Sequence, residues 1–318
     1  MTRIFVVGSG VVGTATGHGL RAAGHEVTFV DIHEPRVAAL RDEGLDARMT
    51  LSLEGEPPSV VFLTVPTPAA EHGHELGAVI EAARSAGRAL AGSPERHLVA
   101  VRSTVPPGTT EGLVQPILER ESGLRAHEGF LLACNPEFLR AATARRDFLQ
   151  PWMTVVASRS PEALDLLRTL LAPFGGELRA FPDPALAELV KCVHNCFNAA
   201  KISFWNEVWL VARRLGLDPA DVSAVSDTVS RSAEASFNPL YGIRGGVPYG
   251  GACLPKDTRA FLAFAEQSGA TMALLRAVIA VNDRIAGETA AGPEGERHER
   301  PAERHERAAE LAALGHEG

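Results

Sequence analysis

The sequence has few cysteines, few aromatic residues and almost no lysine among its 318 residues. Four cysteines are too few for a disulfide scaffold of this length. No apolar run approaches the roughly 20 residues that span a bilayer, and the net charge of −8 argues against a general nucleic-acid-binding protein. Because the N-terminus leads into an apolar strand without a signal peptide, we expect a cytoplasmic protein with neither a membrane nor a nucleic-acid partner.

Lysine is the rarest basic residue of the chain. Of the 31 basic residues, only Lys191, Lys201 and Lys256 are lysines, so arginine is the ordinary surface cation. A lysine amine differs from a guanidinium in being a compact donor whose pKa burial can lower. The three lysines are therefore candidates for special roles, unless codon bias left them by chance.

Short apolar runs alternate with helical stretches over residues 1–182, which we predict to be a Rossmann-type, doubly wound α/β domain. Near-continuous apolar runs are typical of strands buried on both faces of a parallel sheet. The predicted strands are Ile4–Val7, Glu26–Asp31, Val60–Val65, Leu98–Val101, Phe130–Cys134 and Thr154–Ala157.

Beyond residue 182 we predict an all-helical central domain over residues 183–286. Pro184 suits a first helical turn, and neither proline nor glycine recurs until Gly216, which predicts one helix of about 30 residues. Helices of this length often carry a dimer interface. A Gly/Pro-rich loop follows over residues 237–255, and two further helices reach about Ile285.

Residues 287–318 differ in character from the rest of the chain. They contain the near-repeat ERHER-PA-ERHER and few large apolar residues, which is typical of a charged, low-complexity tail. Its histidines are better explained by a solvated charge run than by a metal site, and we predict no metal site in the protein.

A G-x-G-x-x-G motif begins at Gly8, between the first predicted strand and a helix. Gly8 permits a tight turn, Gly10 lets a pyrophosphate approach the backbone, and Gly13 allows close helix–strand packing. Asp31 ends the next strand, where a carboxylate binds the ribose hydroxyls and repels a 2′-phosphate. The motif therefore predicts an NAD site, although Arg36 nearby leaves NADP open.

A cysteine stands in the glycine-rich stretch GGACLPKD at residues 250–257. Glycines let a substrate approach the backbone, and the amine of Lys256 would favour the reactive thiolate of Cys253. Cys192 and Cys196 lie one helical turn apart on the long helix, but no second cysteine pair completes a metal site, so buried packing explains them better.

The long predicted helix has an unusual stripe of one lysine and three amides. Helical periodicity places Lys191, Asn195, Asn198, Ile202 and Asn206 on one side. Neutral amides beside a lysine suit a site that binds hydroxyls or a developing oxyanion. The alternative is a hydrated face or a polar contact between helices.

Six motifs in order from residue 8 to about 285 resemble the UDP-glucose/GDP-mannose dehydrogenase family. The family comprises NAD-dependent enzymes that oxidise the C6 alcohol of a nucleotide sugar to a carboxylate in two hydride transfers. The motifs are GSGVVG from Gly8, Val65–Pro68, Ser103–Thr110, Asn135–Arg140, the run from Glu188 to Glu207, and GGACLPKD.

The resemblance implies a covalent mechanism centred on Cys253. This residue would trap the aldehyde as a thiohemiacetal, which the second hydride transfer converts into a thioester. Lys191 and Asn195 would stabilise the oxyanion, and Asp257 would act with Lys191 on the proton transfers.

Further site residues also follow from the resemblance. Glu137 would assist thioester hydrolysis, and Thr104 would lie near the nicotinamide. The implied cofactor contacts are Gly8, Gly10, Val11, Val12, Gly13, Asp31, Arg36, Val65, Pro66, Thr67, Ser103, Thr104 and Lys256. The implied substrate contacts are Phe138, Leu139, Arg140, Lys191, Asn195, Arg244, Tyr249 and Gly250.

The sequence departs from the family in several places. The family has a further nucleotide-gripping domain where this sequence has its charged tail, and Ala252 replaces a serine. We expect a homodimer through the long helix, with Arg244 able to reach the partner's site. Two alternatives stay open: a two-electron dehydrogenase of a hydroxyacid, sugar or nucleoside alcohol, and a non-catalytic NAD-binding paralogue.

Overall fold

The structure is a computed structural model that describes residues 1–70 and 73–290. The chain divides into two compact units, Met1–Phe197 and Asn198–Gly318, and each is considered by itself. The predicted tail at residues 287–318 lies outside the described residues from 291 onward, and residues 287–290 continue the last helix.

The first unit contains an eight-stranded sheet within the described residues. Its strands are β1 Arg3–Val7, β2 Glu26–Val30, β3 Asp46–Arg48, β4 Ser59–Leu63, β7 Leu98–Val101, β8 Leu131–Cys134, β9 Met153–Ala157 and β10 Glu177–Phe181. A separate antiparallel pair joins β5 Ala69–Ala70 to β6 Gly73–His74.

The strand order is β10-β9-β8-β7-β4-β1-β2-β3. Six neighbouring strands from β3 to β8 are parallel, with the register Ile4 to Val27 on one side of β1 and Ile4 to Val60 on the other. Within this sheet β9 pairs with β8 in the antiparallel direction, at Cys134 and Ala157. The chain reverses its winding between β1 and β4, which is where doubly wound sheets bind their ligands.

Apolar side chains of the sheet alternate between two cores. Ile4 and Val6 belong to the core on one face, and Phe5 and Val7 to the core on the other. Because successive strand residues point to opposite faces, a strand covered by helices on both sides is apolar throughout. The predicted doubly wound α/β domain is therefore confirmed.

Helices cover both faces of the sheet and form the second unit. Those of the α/β part are α1 Val11–Ala22, α2 Glu34–Asp42, α3 Gly77–Ala91, α4 Gln115–Ser122, α5 Ala144–Leu149 and α6 Pro161–Leu171, and a π-helical turn Thr110–Val114 precedes α4. The remaining helices are α7 Pro184–Arg214, α8 Pro219–Ser232, α9 Glu234–Phe237, α10 Leu254–Gln267 and α11 Ala273–Ala290.

Helix α7 has the predicted start and the predicted length, with 31 residues. The division into units falls inside α7 rather than at residue 182, because its first turns pack on the sheet. Ala187, Glu188 and Lys191 are buried there, and the Cys192 thiol lies 3.6 Å from the Val105 carbonyl oxygen. The boundaries given by sequence remain a prediction.

The second unit has a small apolar core. Val211 of α7 packs with residues of α10, α11 and their connection, namely Ala265, Ala270, Met272, Leu275 and Ile279. Glu207 of α7 accepts hydrogen bonds from the Leu274 and Leu275 amides, at 2.6 and 3.2 Å, and so caps the start of α11. Among the described helices, none has an apolar stretch long enough to cross a membrane.

Candidate active site

The glycine turn lies between β1 and α1. Gly8 has a φ of +95°, which favours glycine. A Cβ on Gly13 would lie 1.9 Å from the Gly8 carbonyl oxygen, so helix and strand touch there. A Cβ on Gly10 would meet no protein atom within 4 Å, and Gly10 starts α1 without a side-chain cap. The first-turn amides of α1 are thus open to a phosphate, as in dinucleotide sites.

Asp31 follows β2 and is buried beside this turn. Its carboxylate accepts hydrogen bonds from the Ser9 amide at 2.7 Å and the His33 amide at 2.9 Å. Arg36 lies 3.1 Å away and is half-exposed. Burial opposes ionisation, but these donors and the Arg36 charge together hold the pKa of Asp31 below its usual value. A permanent carboxylate favours NAD, and Arg36 is paired with it rather than free for a 2′-phosphate.

The loops after β4 and β7 are tied to each other on the other side of the turn. The Ser103 hydroxyl donates to the Val65 carbonyl at 2.7 Å, and the Thr67 hydroxyl donates to the Thr104 carbonyl at 2.7 Å. Val65 and Thr104 are partly buried, whereas Pro66 is exposed. Hydrogen bonds therefore link the predicted cofactor contacts of these two loops, whose role stays a prediction.

A buried ion pair joins the loop after β8 to α7. The Lys191 amine lies 3.2 Å from a Glu137 carboxylate oxygen, and both side chains are almost fully buried. The second Glu137 oxygen accepts a hydrogen bond from the Leu139 amide. The Lys191 amine also lies 5.4 Å from the centre of the Phe138 ring. Glu137 and Lys191, which are 54 positions apart in the sequence, thus form a buried ion pair.

Glu188 fixes the first turns of α7 on the α/β part. Its carboxylate accepts hydrogen bonds from the Gly108 amide, and from the Thr110 amide and hydroxyl at 2.7 and 2.6 Å. Burial raises the pKa of Glu188 despite these donors. Because Lys191 lies one turn further along α7, the contact of Glu188 sets the position of the Lys191 amine.

Arg140 is held by a buried carboxylate beside the Glu137 loop. Its guanidinium and its backbone amide all donate to Asp147, with side-chain distances of 2.9 and 2.7 Å. The Arg140 guanidinium holds the pKa of Asp147 well below its usual value. It also lies 5.5 Å from the centre of the Trp152 ring. Arg140 is exposed, so its remaining donors face solvent.

The amide stripe of α7 is only partly enclosed. Lys191 is buried, whereas Asn195, one turn later, is exposed within the first unit. Asn198 and Asn206 belong to the second unit. The hypothesis of an oxyanion-binding stripe stays a prediction for these amides.

The cysteine loop belongs to the second unit and is held by α11. The Tyr249 amide donates to the Asn282 side chain at 2.7 Å, and the Asn282 amide donates back to the Tyr249 carbonyl at 3.2 Å. Gly251 has a φ of +77° and turns the chain toward α10. Cys253 is the N-cap of α10, and its thiol is free and exposed. The loop thus presents a thiol at the start of a helix.

The charged residues after Cys253 pair with each other or with α11. The Lys256 amine lies 2.6 Å from an Asp257 carboxylate oxygen, so the cation expected to favour the thiolate is already paired. Arg259 donates to both oxygens of Asp283 at 2.6 and 2.7 Å, which fixes α10 on α11. Arg244 and Gly250 are exposed, in line with residues that a substrate can reach.

Three supporting residues escaped the sequence analysis. Glu188, Asn282 and Arg102 all act through contacts between segments distant in sequence. The only local signal was at Arg102, because a cation directly after four buried apolar residues is unusual. Its contacts are described below.

The fold and the glycine turn define a dinucleotide-binding protein of the doubly wound α/β class. Residues 41–175 match the NAD binding domain of the UDP-glucose/GDP-mannose dehydrogenase family, and residues 185–284 match the family's central domain. The chain belongs to this family, and its cofactor is NAD. The resemblance inferred from the six motifs is therefore confirmed.

Relatives with assigned names support the same conclusion. A UDP-glucose 6-dehydrogenase of Haloferax volcanii is 34% identical over 303 residues, covering 87% of this chain and 69% of the relative. A GDP-mannose 6-dehydrogenase of Pseudomonas aeruginosa is 35% identical over 290 residues, covering 83% of this chain and 64% of the relative. The chain thus spans about two thirds of the length of these relatives.

Solved structures give the same family. The ternary complex of the Pseudomonas aeruginosa GDP-mannose dehydrogenase superposes with a TM-score of 0.80 at 30% identity, covering 91% of this chain and 70% of that one. A UDP-glucose dehydrogenase of Pyrobaculum islandicum superposes with a TM-score of 0.67 at 34% identity, covering 89% of this chain and 68% of that one.

Proposed function

We propose that the protein oxidises the C6 primary alcohol of a nucleotide sugar to a carboxylate in two NAD-dependent steps. The observation that carries this proposal is that one chain combines the dinucleotide turn with the buried Glu137–Lys191 pair and an exposed thiol at Cys253. A two-electron alcohol dehydrogenase needs no such thiol. The relatives are named UDP-glucose 6-dehydrogenase and GDP-mannose 6-dehydrogenase, which supports a nucleotide sugar as the substrate class.

The chemistry begins at the alcohol carbon. NAD supplies the hydride acceptor for both oxidations. Lys191 and Asn195 are proposed to hold the substrate oxygen while its proton passes to a water bound by Asp257, because a buried cation and an amide donor stabilise a developing alkoxide. The Cys253 sulfur then bonds to the aldehyde carbon, and its proton leaves to solvent through Asp257. The former aldehyde oxygen carries the negative charge beside Lys191, so the product of this addition is a thiohemiacetal in its alkoxide form.

The second oxidation and hydrolysis release the acid. Loss of a hydride from the thiohemiacetal carbon leaves a thioester on Cys253. Glu137 accepts a proton from water, which attacks the thioester carbon while Lys191 stabilises the oxyanion. The carbon–sulfur bond then breaks, which returns the thiolate and frees the carboxylate. Thr104 is proposed to orient the water near the nicotinamide.

The stoichiometry of NADH tests the reaction class. With NAD and a panel of UDP-glucose, GDP-mannose and the corresponding free sugars, we expect two NADH per acid formed from a nucleotide sugar. Product mass should increase by the exchange of two hydrogens for one oxygen. One NADH per product, with an aldehyde or ketone released, would instead assign a two-electron dehydrogenase. NAD binding without turnover on any member of the panel would favour a non-catalytic role.

We also propose that the protein works as a homodimer in the cytoplasm. Helix α7 is about 46 Å long at 1.5 Å per residue, and it exposes several large apolar side chains. These are Leu189, Val193, Phe197, Ile202, Trp209 and Leu210. Uncovered apolar side chains on more than one face of a helix favour a self-complementary contact with a second copy. All four cysteines are free, as is usual in a reducing compartment.

A charge among these exposed apolar side chains should separate the dimer. Phe197 is 68% exposed, so Phe197→Glu is expected to give a monomer by light scattering at micromolar concentration without loss of fold. Met49→Glu, at an exposed methionine of the α/β part, is the matched control and should stay dimeric. A wild-type chain that is monomeric and fully active would contradict the proposal.

A further inference from the structure

Arg102 is a buried cation at the carboxyl end of β7. It is 5% exposed and stands directly after Val101. Its Nε donates to the Thr16 hydroxyl at 3.0 Å, and its Nη1 donates to the Asn135 side-chain oxygen at 2.5 Å. The guanidinium also lies 5.4 Å from the centre of the Phe148 ring. All of these partners are neutral.

The charge of Arg102 is not matched by an adjacent carboxylate. Within residues 1–70 and 73–290, no carboxylate oxygen lies within 4.0 Å of its nitrogens. Burial lowers the pKa of Arg102 to about 10, and the negative charge of Glu137 opposes that shift. At pH 7 the guanidinium is therefore still charged. A buried cation without an adjacent carboxylate is costly, and groups with strongly perturbed pKa values cluster at functional sites.

The contacts of Arg102 connect the cofactor turn to the Glu137 loop. Thr16 lies on α1, three residues after Gly13, and is fully buried. Asn135 stands two residues before Glu137, and its amide donates to the Val155 carbonyl at 2.7 Å, which fixes its orientation. The backbone carbonyl of Asn135 also faces the guanidinium at 3.4 Å. Arg102 thus binds the segment that carries Glu137 through both the side chain and the backbone of Asn135.

Arg102 and Glu137 also line one cavity of the first unit. Its polar lining includes Arg102, Asn135, Glu137 and Asp147, and much of the rest is aromatic. Asp147 is already bound by Arg140, and Glu137 faces Lys191 on its other side. Of the two carboxylates that line this cavity, Glu137 is the one without an arginine partner.

We propose that Arg102 is a positioning residue that holds Glu137, through Asn135 and through its charge, in the place needed for thioester hydrolysis. The proposal rests on the proposed function and deepens it. Glu137 pairs directly with Lys191, and its charge also acts on Arg102 at longer range. Arg102 touches neither substrate nor cofactor in this role, so the hydride transfers should not depend on it.

Pre-steady-state kinetics separates this role from a merely structural one. In Arg102→Met we expect an NADH burst at the wild-type rate, followed by steady-state turnover reduced by about 10- to 100-fold. The thioester on Cys253 should accumulate and be visible by intact-protein mass spectrometry. Arg102→Lys keeps the charge but cannot hydrogen-bond Thr16 and Asn135 at the same time, so it should recover part of the turnover. Equal losses of burst and turnover would overturn the proposal.

Arg96→Met is the matched control, because Arg96 lies before the other end of β7 and pairs with Glu162 at 2.6 Å. It should leave the ratio of burst to turnover unchanged. A double-mutant cycle in thermal stability needs no enzyme activity. The double variant Arg102→Met/Glu137→Gln should lower the Tm by less than the sum of the decreases in the two single variants. In the control cycle Arg96→Met/Glu137→Gln the two decreases should be additive. Additivity in both cycles would overturn the proposal. Absence of NADH from wild type would contradict the proposed function, and the cycle would still show whether Arg102 and Glu137 are coupled.

Discussion

Replacing Cys253 with serine is expected to lower the rate of acid release by about 10³-fold or more, while some oxidation of the alcohol continues. A serine hydroxyl is a weaker nucleophile than a thiolate, and an alkoxide leaves an ester more slowly than a thiolate leaves a thioester. The aldehyde should therefore accumulate or escape. Product mass and NADH stoichiometry measure the effect, with NADH per substrate falling from two toward one.

Cys196→Ser is the matched control for this substitution. Both thiols are free and exposed, but Cys196 lies within α7 and Cys253 at the start of α10. General loss of a thiol or of stability would affect both variants, so Cys196→Ser should keep two NADH per acid. Free acid formed by Cys253→Ser at the wild-type rate would show that another residue is the nucleophile.

The fold was predictable from sequence wherever a residue pattern has only one structural explanation. Continuous apolar runs predicted the central strands, because only strands covered on both faces combine that composition with that length. Pro184 and Gly216 bracket α7, since proline starts a helix and glycine ends one. By contrast, β3 and β10 are short or partly exposed, so their residues show no such pattern.

The site was predictable only in part. The spacing of residues along the sequence shows which of them share a face of a helix, but not which of them are buried. Lys191 and Asn195 share a side of α7, yet one is buried and the other exposed. The ion pair of Lys191 with Glu137 needs two segments to meet, as does the docking of Glu188 on the Thr110 turn. Likewise, nothing local indicates that Lys256 pairs with Asp257 instead of facing the thiol.

The glycines of the turn should separate loss of fold from loss of cofactor binding. In Gly13→Ala the added Cβ would lie 1.9 Å from the Gly8 carbonyl oxygen and 2.7 Å from the Thr64 hydroxyl oxygen. Because one contact is backbone, α1 must shift away from β1, and we expect a cost of about 1–3 kcal/mol. For a unit of this size the Tm should fall by about 2–10 °C, together with loss of NAD affinity.

Gly10→Ala should behave differently, because its Cβ would meet no protein atom within 4 Å and its φ of −72° suits alanine. The methyl group would instead occupy the approach of the pyrophosphate to the backbone. We expect an unchanged Tm without cofactor and an NAD affinity reduced at least about 10-fold by calorimetry. Gly112→Ala is the control, because Gly112 is an exposed residue of the π-helical turn and its Cβ would also meet no atom within 4 Å. Both quantities should stay unchanged, or the Tm should rise slightly. Wild-type NAD affinity in Gly10→Ala would mean that the phosphates bind elsewhere than over this turn.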